Sequence, residues 1–146
     1  MRRLINRYKD LSPAERSLFF RALLFVAVIR TGLRLIPFRV LRNGVEHFSK
    51  SAGVRCELDR RNIRQITWAV EAASRRIPGT TCLPRAMAVH LLLGRRGQPS
   101  ELRLGVALKP GCALEAHAWV EVHGRVVIGG EVDGFERFVP LQQQSS

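Results

Sequence analysis

Cys82-Leu83-Pro84-Arg85-Ala86-Met87-Ala88-Val89-His90-Leu91-Leu92-Leu93, closed by Gly94-Arg95-Arg96-Gly97, precedes Leu102-Arg103-Leu104-Gly105-Val106-Ala107-Leu108. Between these stretches the hydrophobic period changes. Leu83–Leu93 repeats near 3.6 and predicts a helix, whereas residues 102–108 alternate with period two and predict a strand. Downstream the strand pattern continues. Pro110-Gly111 reads as a turn and Ala116–Val122 as a second strand. His123-Gly124 is a two-residue hairpin turn and Arg125–Ile128 a third strand. The polar tail, Gln142–Ser146, reads as frayed.

Upstream the pattern is helical. Ser12-Pro13-Ala14-Glu15 is a helix start: Ser12 can cap, Pro13 suits the first helical position, and Glu15 completes a capping box. Leu18, Ala22, Phe25, Val26, Ile29 and Leu33 follow at helical spacing, through about Arg34, and Pro37 stops the run. Phe38–Lys50 predicts a second helix with Gly44 as a weak point. Ile63, Ile66, Val70 and Ala73 predict a third within Leu58–Arg76, ended by Pro78-Gly79. Helices first and an antiparallel sheet afterwards make an α+β fold, with a Cys-bearing helix packed on a small sheet. We divide the chain into a basic N-terminal helical segment (1–50) and a core (51–146), expected to form one compact domain.

Charge separates the chain differently. Of its 24 basic residues 21 are Arg; residues 1–76 carry +11 and residues 77–146 only +1. Such a basic half is a candidate docking face for an acidic partner or peptide, with Arg30, Arg34 and Arg39 as its test residues. The three cysteines, Cys56, Cys82 and Cys112, are an odd number without CxxC or zinc-ligand spacing, which argues against a disulfide framework and a structural metal. The longest apolar run, Ala22–Ile29, is far short of the ~20 residues of a membrane span. No secretory signal is visible after Arg2-Arg3. A cytoplasmic protein without a transmembrane segment, metal or cofactor is expected.

Chemistry centres on Cys82. It sits in the first turn of its helix, after Thr81 and before Pro84, where free N–H groups and the helix dipole favour a thiolate and can hold an oxyanion. A cysteine nucleophile needs a base, and the base an orienting group. His117 is the natural base: alternation puts it on one strand face with Trp119 and Glu121, opposite Ala118 and Val120. An uninterrupted hairpin register sets His117 across from Gly130, close to Glu131 and Asp133. Either acid can orient the imidazole, and the spacing decides neither. His90 lies within an apolar helix face and reads as a core or boundary residue. His47 and His123 read as surface or turn residues, and Cys56 and Cys112 have no apparent base.

Thr81–Val89 with Leu91-Leu92 and Gly94-Arg95-Arg96-Gly97 resembles the Cys helix of the lasso peptide biosynthesis B2 proteins. Glu101–Val106 is similar to the strand that follows it there, and Ala116-His117-Ala118-Trp119-Val120-Glu121-Val122 with Gly124 to that family's His strand. Glu136-Arg137-Phe138 with Pro140-Leu141 resembles its C-terminal end, and the Arg-rich helix with Leu35-Ile36-Pro37-Phe38 its opening segment. This resemblance implies a transglutaminase-like, papain-related fold and a cysteine peptidase that removes the leader from a ribosomally made precursor peptide. A separate ATP-dependent lasso cyclase then closes the macrolactam, and a separate leader-recognition protein delivers the precursor. The family's Cys and His carry over to Cys82 and His117. Its Asp, or Asn-Asp, falls about where Gly129 and Gly130 stand, so Glu131 or Asp133 substitutes or the pair acts as a dyad.

Other readings stay open at this point. Water and an amine attack the same thioester intermediate, and an amine in place of water gives acyl transfer. A non-catalytic protein of the same fold is a further reading. A basic nucleic-acid-binding module fits the charge, but a single Tyr and no helix-turn-helix signature favour an expectation of no nucleic acid.

Overall fold

Ser12 caps the first helix as its sequence predicts. Its hydroxyl accepts the Glu15 N–H at 3.3 Å, and the Glu15 carboxylate accepts the Ser12 N–H at 2.8 Å. The computed structural model describes residues 11–50, 56–108, 111, 114–129 and 139–140. Within them the order is α1 (Pro13–Leu35), α2 (Phe38–Lys50), α3 (Arg60–Ser74), α4 (Cys82–Arg95), β1 (Glu101–Leu108), β2 (Leu114–Val122), β3 (Arg125–Ile128) and β4 (Val139–Pro140).

Each helix has a local cause. Helix α1 buries Leu18, Phe19, Ala22, Val26, Ile29 and Gly32, one stripe of a 3.6-residue repeat, and Ile36 turns extended just before Pro37. Helix α2 runs unbroken through Gly44. Helix α3 starts two residues after Leu58 because Asp59 caps it, accepting the Asn62 N–H at 2.9 Å. Helix α4 is buried nearly all round, from Ala86 to Leu93, as befits the central element. It begins at Cys82, so the cysteine lies inside the helix rather than before it.

The sheet has strand order β3-β2-β1-β4, three antiparallel strands with a two-residue fourth on the β1 edge. Nothing in the sequence marked that fourth strand, because two residues carry no period. β1 and β2 pair from Glu101↔Glu121 to Leu108↔Leu114, placing Gly105 opposite His117. The β2–β3 hairpin turns at His123 (φ 51°) and Gly124 (φ 74°), both left-handed, the backbone of a tight two-residue turn.

One core holds these elements together. Val26 and Ile29 of α1, Ile66 and Val70 of α3, Met87, Val89 and Leu93 of α4, and Ala118 and Val120 of β2 belong to a single buried cluster. Helices α2 and α4 approach closely where Gly94 meets Ser49: a Cβ on Gly94 would lie 2.4 Å from the Ser49 Cβ. Gln98, 1% exposed, uses its side-chain oxygen to accept the Leu58 N–H at 2.6 Å, tying the approach to α3 onto the end of α4. An outward stripe of α1 stays apolar, with Phe20, Leu24 and Val28 exposed one turn apart. Among the described residues no helix is long and apolar enough to cross a membrane.

Candidate active site

Thr81 occupies the N-cap of α4, but its side chain makes no capping hydrogen bond. Cys82 is therefore the first residue of a helix whose leading N–H groups lack a side-chain partner from the cap. Pro84, two residues on, has no N–H to offer, leaving those of Cys82 and Leu83 as the donors of the first turn. Arg85 folds back to donate from Nε to the Thr81 carbonyl at 3.3 Å, placing a guanidinium beside this turn. The Cys82 thiol is free and half-buried, packed against the core cluster. The helix start and the Arg85 guanidinium give this turn a positive electrostatic end.

Strand β2 lies against α4. Its alternation is as the sequence predicts: Ala118, Val120 and Val122 are buried, whereas His117, Trp119 and Glu121 are half-buried on the other face. The indole of Trp119 stacks near-parallel to the His117 imidazole, ring centres 6.1 Å apart and planes 20° apart. Trp119 is itself held, because Nε1–H donates to the Glu121 carboxylate at 2.9 Å. Glu121 in turn pairs with Arg103 Nε at 3.6 Å, and Arg103 also pairs with Glu101. A row of side chains along the sheet thus fixes the plane on which the imidazole rests.

His117 Nε2 is hydrogen-bonded to the Gly129 carbonyl. A carbonyl only accepts, so Nε2 carries the hydrogen, and in the neutral ring the lone pair sits on Nδ1. Gly129 reaches this position because it has no side chain. With φ at +92°, a Cβ there would lie 2.6 Å from the Ala118 carbonyl oxygen and 2.8 Å from the Trp119 Cβ. No local pattern in the sequence marks this contact, because Gly129 meets His117 across the β2–β3 hairpin.

The uninterrupted hairpin register is corrected here. Val122 pairs with Arg125 and Glu121 with Val126, but Val120 pairs with Ile128, so a bulge shifts the count by one residue. Glu131, Asp133 and Cys112 lie outside the described residues. Among those described, Cys82 and His117 are on packed elements but share no hydrogen bond, an arrangement common before a substrate tightens a site. His90, Cys56 and the arginines fall elsewhere. His90 is buried, its Nδ1 bonded to the Ser100 hydroxyl at 2.8 Å and its Nε2 to Glu46 at 3.0 Å, so it fastens α2, α4 and the start of β1 together. Cys56 and the turn residue His123 are exposed. Arg34 and Arg39 are exposed, but Arg30 is half-buried with its guanidinium against Gly79. Among the described residues no three His, Cys, Asp or Glu side chains converge as metal ligands.

Fold and site together define a cysteine-centred α+β domain, with its thiol at a helix start and its histidine on the adjoining sheet. The chain belongs to the Transglutaminase-like superfamily, which it matches over residues 21–143. That family includes cysteine peptidases and transglutaminases. No match was found among curated proteins or solved structures.

Proposed function

We propose that this protein is a cysteine peptidase that removes the leader from a ribosomally made lasso precursor peptide. The observation that carries the thiol chemistry is the pairing of elements: α4 opens on Cys82 and packs on the strand bearing His117, whose tautomer the Gly129 carbonyl selects. His117 Nδ1 takes the Cys82 proton, and the thiolate attacks the scissile carbonyl carbon. The resulting oxyanion is met by the Cys82 N–H, and the leaving amine takes the proton back from the imidazole. Water, activated by the same histidine, then releases the leader acid from the thioester. Glu131 is our choice for the acid that orients the imidazole together with the Gly129 carbonyl, with Asp133 next.

Leader removal as the particular reaction rests on the likeness of the Cys helix and His strand to the lasso peptide proteins. Precursor peptide, leader-recognition protein and lasso cyclase are accordingly the proposed partners, in the cytoplasm. Mass spectrometry of a lasso precursor incubated with the protein and a leader-recognition partner tests it. Cleavage at the leader–core junction is expected, and Cys82→Ala or His117→Ala should lower its rate by roughly 10⁴-fold or more without altering the fold. An intact precursor, with wild-type and Cys82→Ala proteins indistinguishable, overturns the proposal. Because the family also contains transglutaminases, an added primary amine is a second acceptor to monitor; a product containing that amine in place of free acid would make the protein an acyl transferase.

A further inference from the structure

Leu11 and Glu15 at the start of α1, with Arg60, Arg61, Arg64 and Trp68 of α3, line an open groove of about 560 Å³. Its charge is not explained by helix stability. Arg60 and Arg61 are the first two residues of α3, where the positive end of the helix dipole disfavours cations, and the first turn contains no acid. Arg60 and Arg64 are four residues apart, so they repel across one turn. Asp59, the nearest carboxylate in sequence, is engaged with the Asn62 N–H. Among the described residues none of the three arginines forms an ion pair. Three guanidiniums that weaken their own helix therefore converge on one groove, where an anion would relieve the repulsion.

The other walls narrow the anion's identity. Leu11 and the half-buried Trp68 offer apolar surface between the charges. Glu15 faces the same space, its carboxylate held by the Ser12 N–H. A single indole is a poor platform for successive bases, which disfavours a nucleic-acid strand here. A peptide suits the groove better: its carboxylates meet the arginines and an apolar side chain lies on Leu11 and Trp68. We propose that this groove docks an acidic segment of the peptide substrate. The proposal rests on the peptide-processing reading above, and it is tested independently of cleavage.

Fluorescence anisotropy of a fluorescein-labelled peptide repeating Glu-Glu-Leu, titrated with the Cys82→Ala protein, reads the docking alone. The comparison is between two variants with equal loss of charge: Arg60, Arg61 and Arg64 all to Gln, and Arg21, Arg34 and Arg39 all to Gln. All six side chains are exposed, so both variants should fold. None of Arg21, Arg34 and Arg39 lines the groove, so the second triple leaves its walls unchanged. Loss of about tenfold in affinity from the groove triple, and under about twofold from the other, is expected for three exposed ion pairs. Equal losses in both would reduce the effect to net charge and overturn the proposal. So would no loss in either, or tighter binding of a fluorescein-labelled oligothymidylate through the same arginines. Failure of precursor cleavage alone would overturn only the peptidase reading.

Discussion

Gly129 and Glu46 each hold a histidine, and the effect of each can be measured. A methyl group on Gly129 has no room against Ala118 and Trp119, and the left-handed φ resists it as well. Gly129→Ala should therefore shift the carbonyl that holds His117 Nε2. We expect kcat for peptide cleavage to fall about 100-fold, as for other small misplacements of a catalytic group, with KM changed little. An unaltered kcat would show that the carbonyl does not position the imidazole. Glu46 gives a pH signature. The hydrogen bond from His90 holds its carboxyl below the ordinary value of 4.5; partial burial opposes this, and the His90, Lys50 and Arg42 charges assist it. On acidification the unfolded chain takes up this proton before the folded chain does. Stability from Glu46 is thus fully present above its ordinary value and is lost as pH falls through the lower folded value. Glu46→Gln should cost about 1 kcal/mol in urea unfolding at pH 7 and flatten the decline in stability on the acid side. His90 was legible in the sequence as a core or boundary residue. Its partners were not, because Glu46 and Ser100 reach it from other elements.

The four described helices follow from local signals, and the physics of each is visible in a few residues. Capping at Ser12, the breaks at Pro37 and Pro78-Gly79, and the period from Leu83 to Leu93 all act over one or two turns. Helix α1 supplies a direct check on which face matters. Ile29→Ala, at a site 2% exposed, should cost about 2–5 kcal/mol, whereas Leu24→Gln, at a site 59% exposed, should lie within about 0.5 kcal/mol of wild type. Chemical denaturation of both variants measures the difference, and equal costs would mean that the outer stripe of α1 is covered in solution. Strands β1 to β3 were equally legible up to the bulge after Val120. An extra residue in β3 leaves no mark in an alternating pattern this short, so the count from the His123-Gly124 turn slips by one.

At the scale of the whole molecule, the uneven charge takes on a location. The sequence shows +11 over its first 76 residues but not where that charge gathers. Folding sends Arg30 inward against Gly79, leaves Arg34 and Arg39 exposed, and brings Arg60, Arg61 and Arg64 around a groove beside Leu11 and Trp68. Local pattern by itself determined the α+β order, the helix boundaries within a residue or two, the hairpin turn, and Cys82 and His117 as candidates. These depend on periodicity, capping and turn chemistry between near neighbours. Only the tertiary structure decided that Gly129 holds the imidazole, that Trp119 and Glu121 brace it, that Glu46 and Ser100 bind His90, and that the α3 arginines share a groove with α1. Except for the Trp119–Glu121 brace, which lies along one strand, each of these is a contact between segments brought together by packing, which no local pattern encodes.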